Sequence, residues 1–264
     1  MKHPEEYINQ IIQGDCLEIM QGMPDKCVDL VLTSPPYDSL RDYNGYEFNF
    51  EGIANELFRI TKEGGIVVWV VGDAVIDGSE TGTSFKQALY FKDMGFNIHD
   101  TMIYQKDSYA FPPSNRYFGV FEYMFVFSKG IPKTTNLSRV PTIKQVKNNN
   151  SSSTRQKDGT VTKTKYETGK EERIRDNIWK YGVGNGKSTK ENFVFEHPAS
   201  FPEKLAGDHI KSWSNKGDIV LDPMNGSGTT TKMAKQLGRN YIGIEISEEY
   251  CKIAEDRLRQ EVLF

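Results

Sequence analysis

The chain has 264 residues, enough for one large α/β domain with an insertion or for two small domains. Hydrophobic residues make up 37% and aromatics 12%, so a packed core is expected; no apolar run reaches about 18 residues and no charged-then-apolar leader opens the chain, which points to a soluble, cytoplasmic protein with no membrane partner. The net charge of −3 hides an asymmetry: residues 129–190 carry 15 Lys plus Arg against 5 Asp plus Glu, a net of +10, leaving −13 on the remainder.

In chain order, "YINQIIQGD" (7–15) reads as a short strand ending in Gly-Asp, and "CVDLVLTSPPY" (27–37) as a strand apolar enough to be buried on both faces. "FEGIANELFRITKEGG" (50–65) reads as an amphipathic helix stopped by Gly64-Gly65, followed by a continuous apolar strand at 66–73. Residues 84–94 suit a helix ended by Gly95; 96–106 and 119–129 suit strands joined by the Pro-rich "DSYAFPPSNRYF". From 130 to 196 the pattern dissolves into a Ser/Asn/Lys-rich stretch without period, expected to be flexible when unbound. Order returns at 197 with a helix entered through Pro202, and residues 217–260 read as strand, glycine loop, helix, strand, helix. Strands alternating with helices predict an α/β fold, a mostly parallel sheet with helices on both faces. The expected division is 1–129, 130–196 and 197–264.

Two places carry chemistry. "VLDPMNGSGTTT" (220–231) follows a strand and opens a helix, and Gly226 and Gly228 allow close backbone approach to a ligand. Glu245, 23 residues after Asp222, ends the next strand, where an acid hydrogen-bonds ribose hydroxyls. Together they predict a nucleoside-containing cofactor. The spacing is neither a dinucleotide fingerprint nor a phosphate loop, and "YGVGNGKST" (181–189) lacks the first glycine and the preceding strand of one. "TSPPY" (33–37) is a stiff corner: two prolines fix their own φ, donate no backbone hydrogen bond and push the residue before each out of the helical region. The three cysteines (Cys16, Cys27, Cys251) and four histidines show neither CxxC nor HxxxH spacing, so neither a disulfide framework nor a metal site is expected.

"TSPPY" together with "DPMNGSGTT" resembles the amino-group DNA methyltransferases that use S-adenosyl-L-methionine, and the order of catalytic motif, basic segment and cofactor motif resembles their permuted β group. The resemblance covers residues 8–129 and 196–260, with Met224 standing where the family usually has Phe. It implies a Rossmann-like methyltransferase fold, circularly permuted, with a mostly parallel seven-stranded sheet and an inserted target recognition region. It implies transfer of the methyl group to the exocyclic amine of a flipped base in double-stranded DNA. Ser at the first position of the corner favours cytosine N4, with adenine N6 as the alternative and RNA as a weaker one. A restriction-modification setting follows, with a separate endonuclease as possible partner.

The site residues carried over are these. Ser34, Pro35, Pro36 and Tyr37 form the catalytic corner, Tyr37 stacking on the base while Ser34 and the Pro35 carbonyl accept from its amine. Asp15, with Cys16 beside it, would meet the cofactor adenine, or Asp15 is a turn or helix cap. Ser200, Phe201 and Pro202 would flank the methionine end. Asp222, Pro223, Met224, Asn225, Gly226, Gly228 and Thr229 form the cofactor loop, with Glu245 on the ribose. Asp73 either lines the pocket or caps a loop. In the basic segment Lys144, Lys147 and Arg155 would meet phosphates, and Arg155, Arg173 and Arg175 are candidates for reading bases.

Overall fold

The strand β3 shows in one element how the core is divided. Ile66, Val68 and Val70 point to one face of the sheet and Val67, Trp69 and Val71 to the other, and all six are buried. The computed structural model describes residues 4–36, 48–107, 115–142, 151–165, 171–183 and 202–259. Along the first part run β1 (Gln10–Gln13), α1 (Cys16–Gly22), β2 (Val28–Thr33), α2 (Phe50–Ile60) and β3 (Thr61–Val71). A small hairpin, β4 (Val75–Ile76) and β5 (Ser79–Glu80), then leads to α3 (Thr83–Asp93), β6 (Asn97–Lys106) and β7 (Phe121–Ser128). After β8 (Arg139–Pro141), β9 (Ser151–Arg155), β10 (Val161–Lys165) and β11 (Glu172–Ile174) come β12 (Ile178–Tyr181), α4 (Glu203–Trp213), β13 (Ile219–Asp222), α5 (Thr229–Gln236), β14 (Asn240–Glu245) and α6 (Glu248–Arg259).

Two compact units result: Met1–Asn136 with Asn177–Phe264, and Leu137–Asp176. The first is built on one sheet in the order β1-β14-β13-β2-β3-β7-β6-β12. All neighbours run parallel except β7, which is antiparallel to both β3 and β6. Helices α1, α2 and α3 fill one face through Met20, Ile53, Leu57 and Phe91; α4, α5 and α6 fill the other through Leu205, Ile210, Ala234 and Leu258. Each such side chain contributes about 1.5–3 kcal/mol by leaving water. No helix of the described residues is long and apolar enough to cross a membrane.

Among the described residues the sheet has eight strands where seven were expected. The extra one, β12, lies within the stretch that reads as patternless: Trp179 and Tyr181 are buried while Ile178 and Lys180 are exposed, a period-two pattern too short to stand out in polar surroundings. Helix α2 stops at Ile60 rather than at Gly64-Gly65. Lys129 Nζ donates to Phe58 O at 2.5 Å and Thr61 O at 3.0 Å and so satisfies the helix end. The glycines instead sit in a bulge of β3: the pairing with β2 jumps from Val28↔Thr61 to Leu30↔Ile66. A Cβ on Gly65 would lie 2.7 Å from Thr61 Cγ2.

In the second unit the described residues form two strand pairs. β8 and β11 pair, and β9 and β10 form a hairpin turned at Asp158-Gly159, where Asp158 Oδ1 accepts from Thr160 N (2.9 Å) and Thr160 Oγ1 (2.7 Å). Its alternation is polar on both faces, so hydrophobic periodicity cannot reveal it.

Candidate active site

Parallel pairing sends the C-terminal ends of β1, β14, β13, β2 and β3 to one edge. After β13 the chain crosses to β14 on one side; after β2 it crosses to β3 on the other. The connections therefore diverge between β13 and β2, the place where an open α/β sheet leaves a ligand crevice. The ladder between these two strands covers only Val220↔Leu30 and Leu221↔Val31. Just beyond it the two motifs, some 190 residues apart, face each other.

Side chains take over where the ladder stops. Thr33 Oγ1 donates to Asp222 Oδ1 at 2.7 Å, and Thr230 Oγ1 donates to the Leu32 carbonyl at 3.2 Å. Asp222 Oδ1 also accepts from Met224 N at 3.1 Å. Burial pushes the Asp222 carboxyl up to about 6, against the hydrogen bonds from Thr33 Oγ1 and Met224 N that favour its charge. Among the described residues no lysine or arginine pairs with it. A buried carboxylate without a counter-charge is a receptor for a cation.

The glycine loop is held from below. Gly226 has φ +50° and Gly228 +81°, and a Cβ on Gly228 would stand 2.7 Å from Ala254 Cβ of α6. Arg257 of α6 is fully buried beneath the loop. Its Nη1 donates to Ser227 O (2.7 Å), Ser227 Oγ (3.3 Å) and Thr229 Oγ1 (3.1 Å), and its Nη2 to Glu203 Oε1 (2.7 Å) at the start of α4. Lys232 shares that carboxylate at 2.8 Å. Asn225 is part of the scaffold: its Oδ1 accepts from Thr231 Oγ1 at 3.0 Å and its side chain lies over Gly243. The Asn225 Nδ2 group is buried without a partner among the described residues. Pro223 is buried, and Met224, half-buried, packs on the α1–α3 side of the sheet together with Cys16.

Glu245 ends β14 beside this loop. Its Oε2 accepts from Gly226 N (2.8 Å) and its Oε1 from Ser247 N (2.9 Å), and burial raises its carboxyl above the ordinary range. Each oxygen keeps acceptor capacity for a hydroxyl. At the end of β1, Asp15 caps α1, its Oδ1 accepting from Leu17 N (2.7 Å) and Glu18 N (3.2 Å). Asp73, after β3, accepts from Ser84 N at 2.9 Å and Ser84 Oγ at 2.5 Å in the first turn of α3, whose N-cap position is Gly82. Pro202 is buried at the N-cap of α4.

The corner itself leaves β2 with Ser34 half-buried, Pro35 buried and Pro36 half-buried. Tyr37, Ser200, Phe201, Lys144 and Lys147 lie outside the described residues. All three cysteines are buried; burial pushes the Cys27 thiol up and Cys251 up to about 11, so neither offers a thiolate nucleophile. Among the described residues no group of three His, Cys, Asp or Glu could hold a metal ion. In the second unit Arg155 is exposed on β9, on the hairpin face that also carries Lys163. Arg173 is engaged by Asp176 through both guanidinium nitrogens, at 2.5 and 2.8 Å, and the backbone of Arg175 bonds Ser138 O. Thr33, Thr230, Glu203 and Arg257 escaped the sequence reading; only the adjacency of Thr33 to Ser34 and of Thr230 to Thr229 could have drawn attention to two of them.

The family model described as DNA methylase matches residues 28–256, which includes both motifs and the segment between them. The chain belongs to the DNA methylase family. It is 57% identical over 246 residues to the orphan methyltransferase M.BamHII of Bacillus amyloliquefaciens, covering 92% of this chain and 93% of that one. Among solved structures, TTHA0409 of Thermus thermophilus, in complex with S-adenosyl-L-methionine, superposes with a TM-score of 0.66 at 25% identity, covering 96% and 94% of the two chains. The PvuII DNA methyltransferase (cytosine-N4-specific) gives a TM-score of 0.68 at 21% identity over 96% and 87%, a likeness of fold. The protein is thus a DNA amino-methyltransferase with a Rossmann-like sheet, and enzymes of its family take their methyl group from S-adenosyl-L-methionine.

Proposed function

We propose that the protein methylates the exocyclic N4 amine of a cytosine swung out of duplex DNA, as the modification enzyme of a restriction-modification pair whose endonuclease is a separate chain. The observation that carries this reading is the Thr33–Asp222 contact, which sets the Ser-Pro-Pro corner beside the cofactor crevice at the switch point of the sheet. The residues present fit S-adenosyl-L-methionine. The buried Asp222, without a cation among the described residues, suits the methionyl ammonium; the Gly226–Thr229 loop leaves room where a Cβ would collide; Glu245 suits the ribose hydroxyls, and Asp15 with Cys16 and Met224 the adenine. When bound, the cofactor supplies an electrophilic sulfonium methyl.

The chain's own residues do the rest. An exocyclic amine donates its lone pair into the ring and is a poor nucleophile while it does so. Ser34 Oγ and the Pro35 carbonyl accept from its two N–H groups, which favours a pyramidal nitrogen with its lone pair directed at the methyl. The prolines hold that aim because they cannot join the ladder and their φ is fixed. Tyr37 stacks on the base. With the cofactor bound, this lone pair would accept its sulfonium methyl, the thioether would leave, and the amine's proton would pass to water. Serine at the head of the corner supports cytosine over adenine. The Leu137–Asp176 unit reads the DNA: Arg155 with Lys163 on one hairpin face supports phosphate contact, whereas Arg173 must first leave Asp176 to reach a base.

The test is nucleoside mass spectrometry after incubating duplex DNA with the protein and methyl-labelled S-adenosyl-L-methionine. Label in N4-methylcytosine is expected, and its loss in Ser34→Ala with cofactor affinity retained. Label in N6-methyladenine would keep the mechanism and reject the base assignment.

A further inference from the structure

The register of three adjacent strands places a second feature beside the catalytic corner. Thr33, at the end of β2, lies opposite Trp69 of β3; Val71, two residues on, lies opposite Tyr123 of β7; and Phe121, where β7 begins, lies opposite Gln105 of β6. The corner after β2, the β4–β5 hairpin after β3 and residues 115–120 before β7 therefore meet the sheet at one edge and at one level. Neighbouring strands lie ~4.8 Å apart, so the strand that carries the corner and the strand that Tyr117 leads into are separated by about 10 Å.

This rim is apolar. Tyr117 is 99% exposed, and Val75, Ile76 and Phe121 are each about half exposed. The rings of Phe121 and Tyr123 pack at 5.3 Å, and Tyr123 in turn packs on Phe85 at 5.3 Å, so a rigid aromatic base stands behind the exposed edge. The connection carrying Tyr117 is also anchored. Arg116 donates from Nη2 to the Gly78 carbonyl at the hairpin tip, and its Nη1 lies 3.9 Å from Glu80. The tip is fixed in its turn by positive φ at both Asp77 (49°) and Gly78 (78°), the turn that matches strand twist. A side chain held on a fixed arm with its ring in water contributes nothing to the core, so its position has another use.

Rotating a base out of a duplex leaves two neighbours unstacked and a partner unpaired. An aromatic ring fills such a gap with contact area at the entropic cost of two torsions. We propose that Tyr117 is the ring that enters the duplex where the target base leaves, carried on an arm that Arg116 pins to the β4–β5 hairpin, with double-stranded DNA as the partner of this rim. The inference rests on the base-extruding methyltransferase reading above.

The experiment compares wild type and Tyr117→Ala on two duplex oligonucleotides carrying the mapped target, one fully paired and one with an abasic site opposite the target base. Tyr117 touches no core, so the variant folds, and equal S-adenosylhomocysteine affinity checks this. On the paired duplex the variant is expected to lose about ten- to hundredfold in kcat/KM, the range for a base stacked on an aromatic ring. On the abasic duplex, where the base is already unpaired, it should come within about twofold of wild type, and Tyr117→Phe should behave as wild type on both. Wild-type transfer to both duplexes tests the methyltransferase reading independently. Undiminished transfer by Tyr117→Ala to the paired duplex, or the same loss on both, overturns the assignment of Tyr117 alone.

Discussion

The hydroxyl of Thr33 donates to Oδ1 of Asp222 across 2.7 Å, joining residues 189 positions apart and closing the sheet at its switch point. Both are buried, and the bond favours the ionised acid. Thr33→Val keeps the shape and removes the donor. A buried acceptor left short of a partner costs about 1–3 kcal/mol, so S-adenosylhomocysteine affinity at pH 7 should fall about tenfold, while Thr33→Ser restores it. Calorimetric titration of the three proteins decides; equal affinities would separate the Thr33 contact from cofactor binding.

Asp222 itself should trade stability for binding. Its carboxyl is raised to about 6 by burial, above the ordinary carboxylate value, so the folded protein holds this proton more tightly than the unfolded one. Stability from this group is therefore present at pH 4 and is lost as the pH rises through about 6. Asp222→Asn avoids the burial of charge. It should gain on the order of 2–3 kcal/mol at pH 8 and much less at pH 5, yet bind no cofactor. Denaturant midpoints at the two pH values read the gain; a stability difference independent of pH contradicts the assignment.

Arg257 and Glu203 tie α6 and α4 to the glycine loop. Removing the guanidinium strips acceptors at Ser227 and Thr229 while Glu203 keeps Lys232. Breaking a buried pair in this way costs about 3–5 kcal/mol. Arg257→Met is expected to show that loss in urea denaturation and to raise KM for S-adenosyl-L-methionine more than it lowers kcat. Arg257→Lys cannot reach the loop and Glu203 together and should rescue little. A wild-type KM in Arg257→Met would confine the residue to stability.

Gly228 meets two independent constraints, a φ of +81° and the approach of Ala254 Cβ to 2.7 Å. Gly228→Ala should lose stability and cofactor affinity together. Pairing it with Ala254→Gly removes the nearest contact but leaves the Cα of residue 254 at 3.0 Å and the left-handed backbone, which costs about 1–2 kcal/mol. Partial recovery in the double variant is the expected result of thermal denaturation with and without S-adenosylhomocysteine; full recovery would mean that the backbone is not strained.

Much of the candidate site is legible in the sequence because its signals are local. The Ser-Pro-Pro corner follows its own strand within four residues, the Gly226–Thr229 loop joins a strand to the helix it starts, and Glu245 ends the next strand. For Asp15 and Asp73 the sequence leaves two readings open; in the structure Asp15 caps α1 and Asp73 bonds Ser84 in the first turn of α3, contacts that depend on where the neighbouring amides point. The end of α2 was misplaced for a similar reason: Gly64-Gly65 resembles a helix stop, but Lys129, 71 positions beyond Phe58, closes the helix earlier and leaves the glycines to a bulge. The strand β12 was missed because two buried aromatics in four residues make too short a period to see.

By itself the sequence determined the alternation of strands and helices, the two motifs and their order along the chain, because these follow from periodicity, turn chemistry and residue type within short windows. The tertiary structure alone decided that β13 and β2 lie side by side, that Thr33 and Thr230 stitch them beyond the ladder, and that Arg257 lies beneath the glycine loop. A threonine at a strand end and an arginine on a helix read as ordinary in any sequence. What gives them work is the loss of water around them, and only packing by distant segments removes that water.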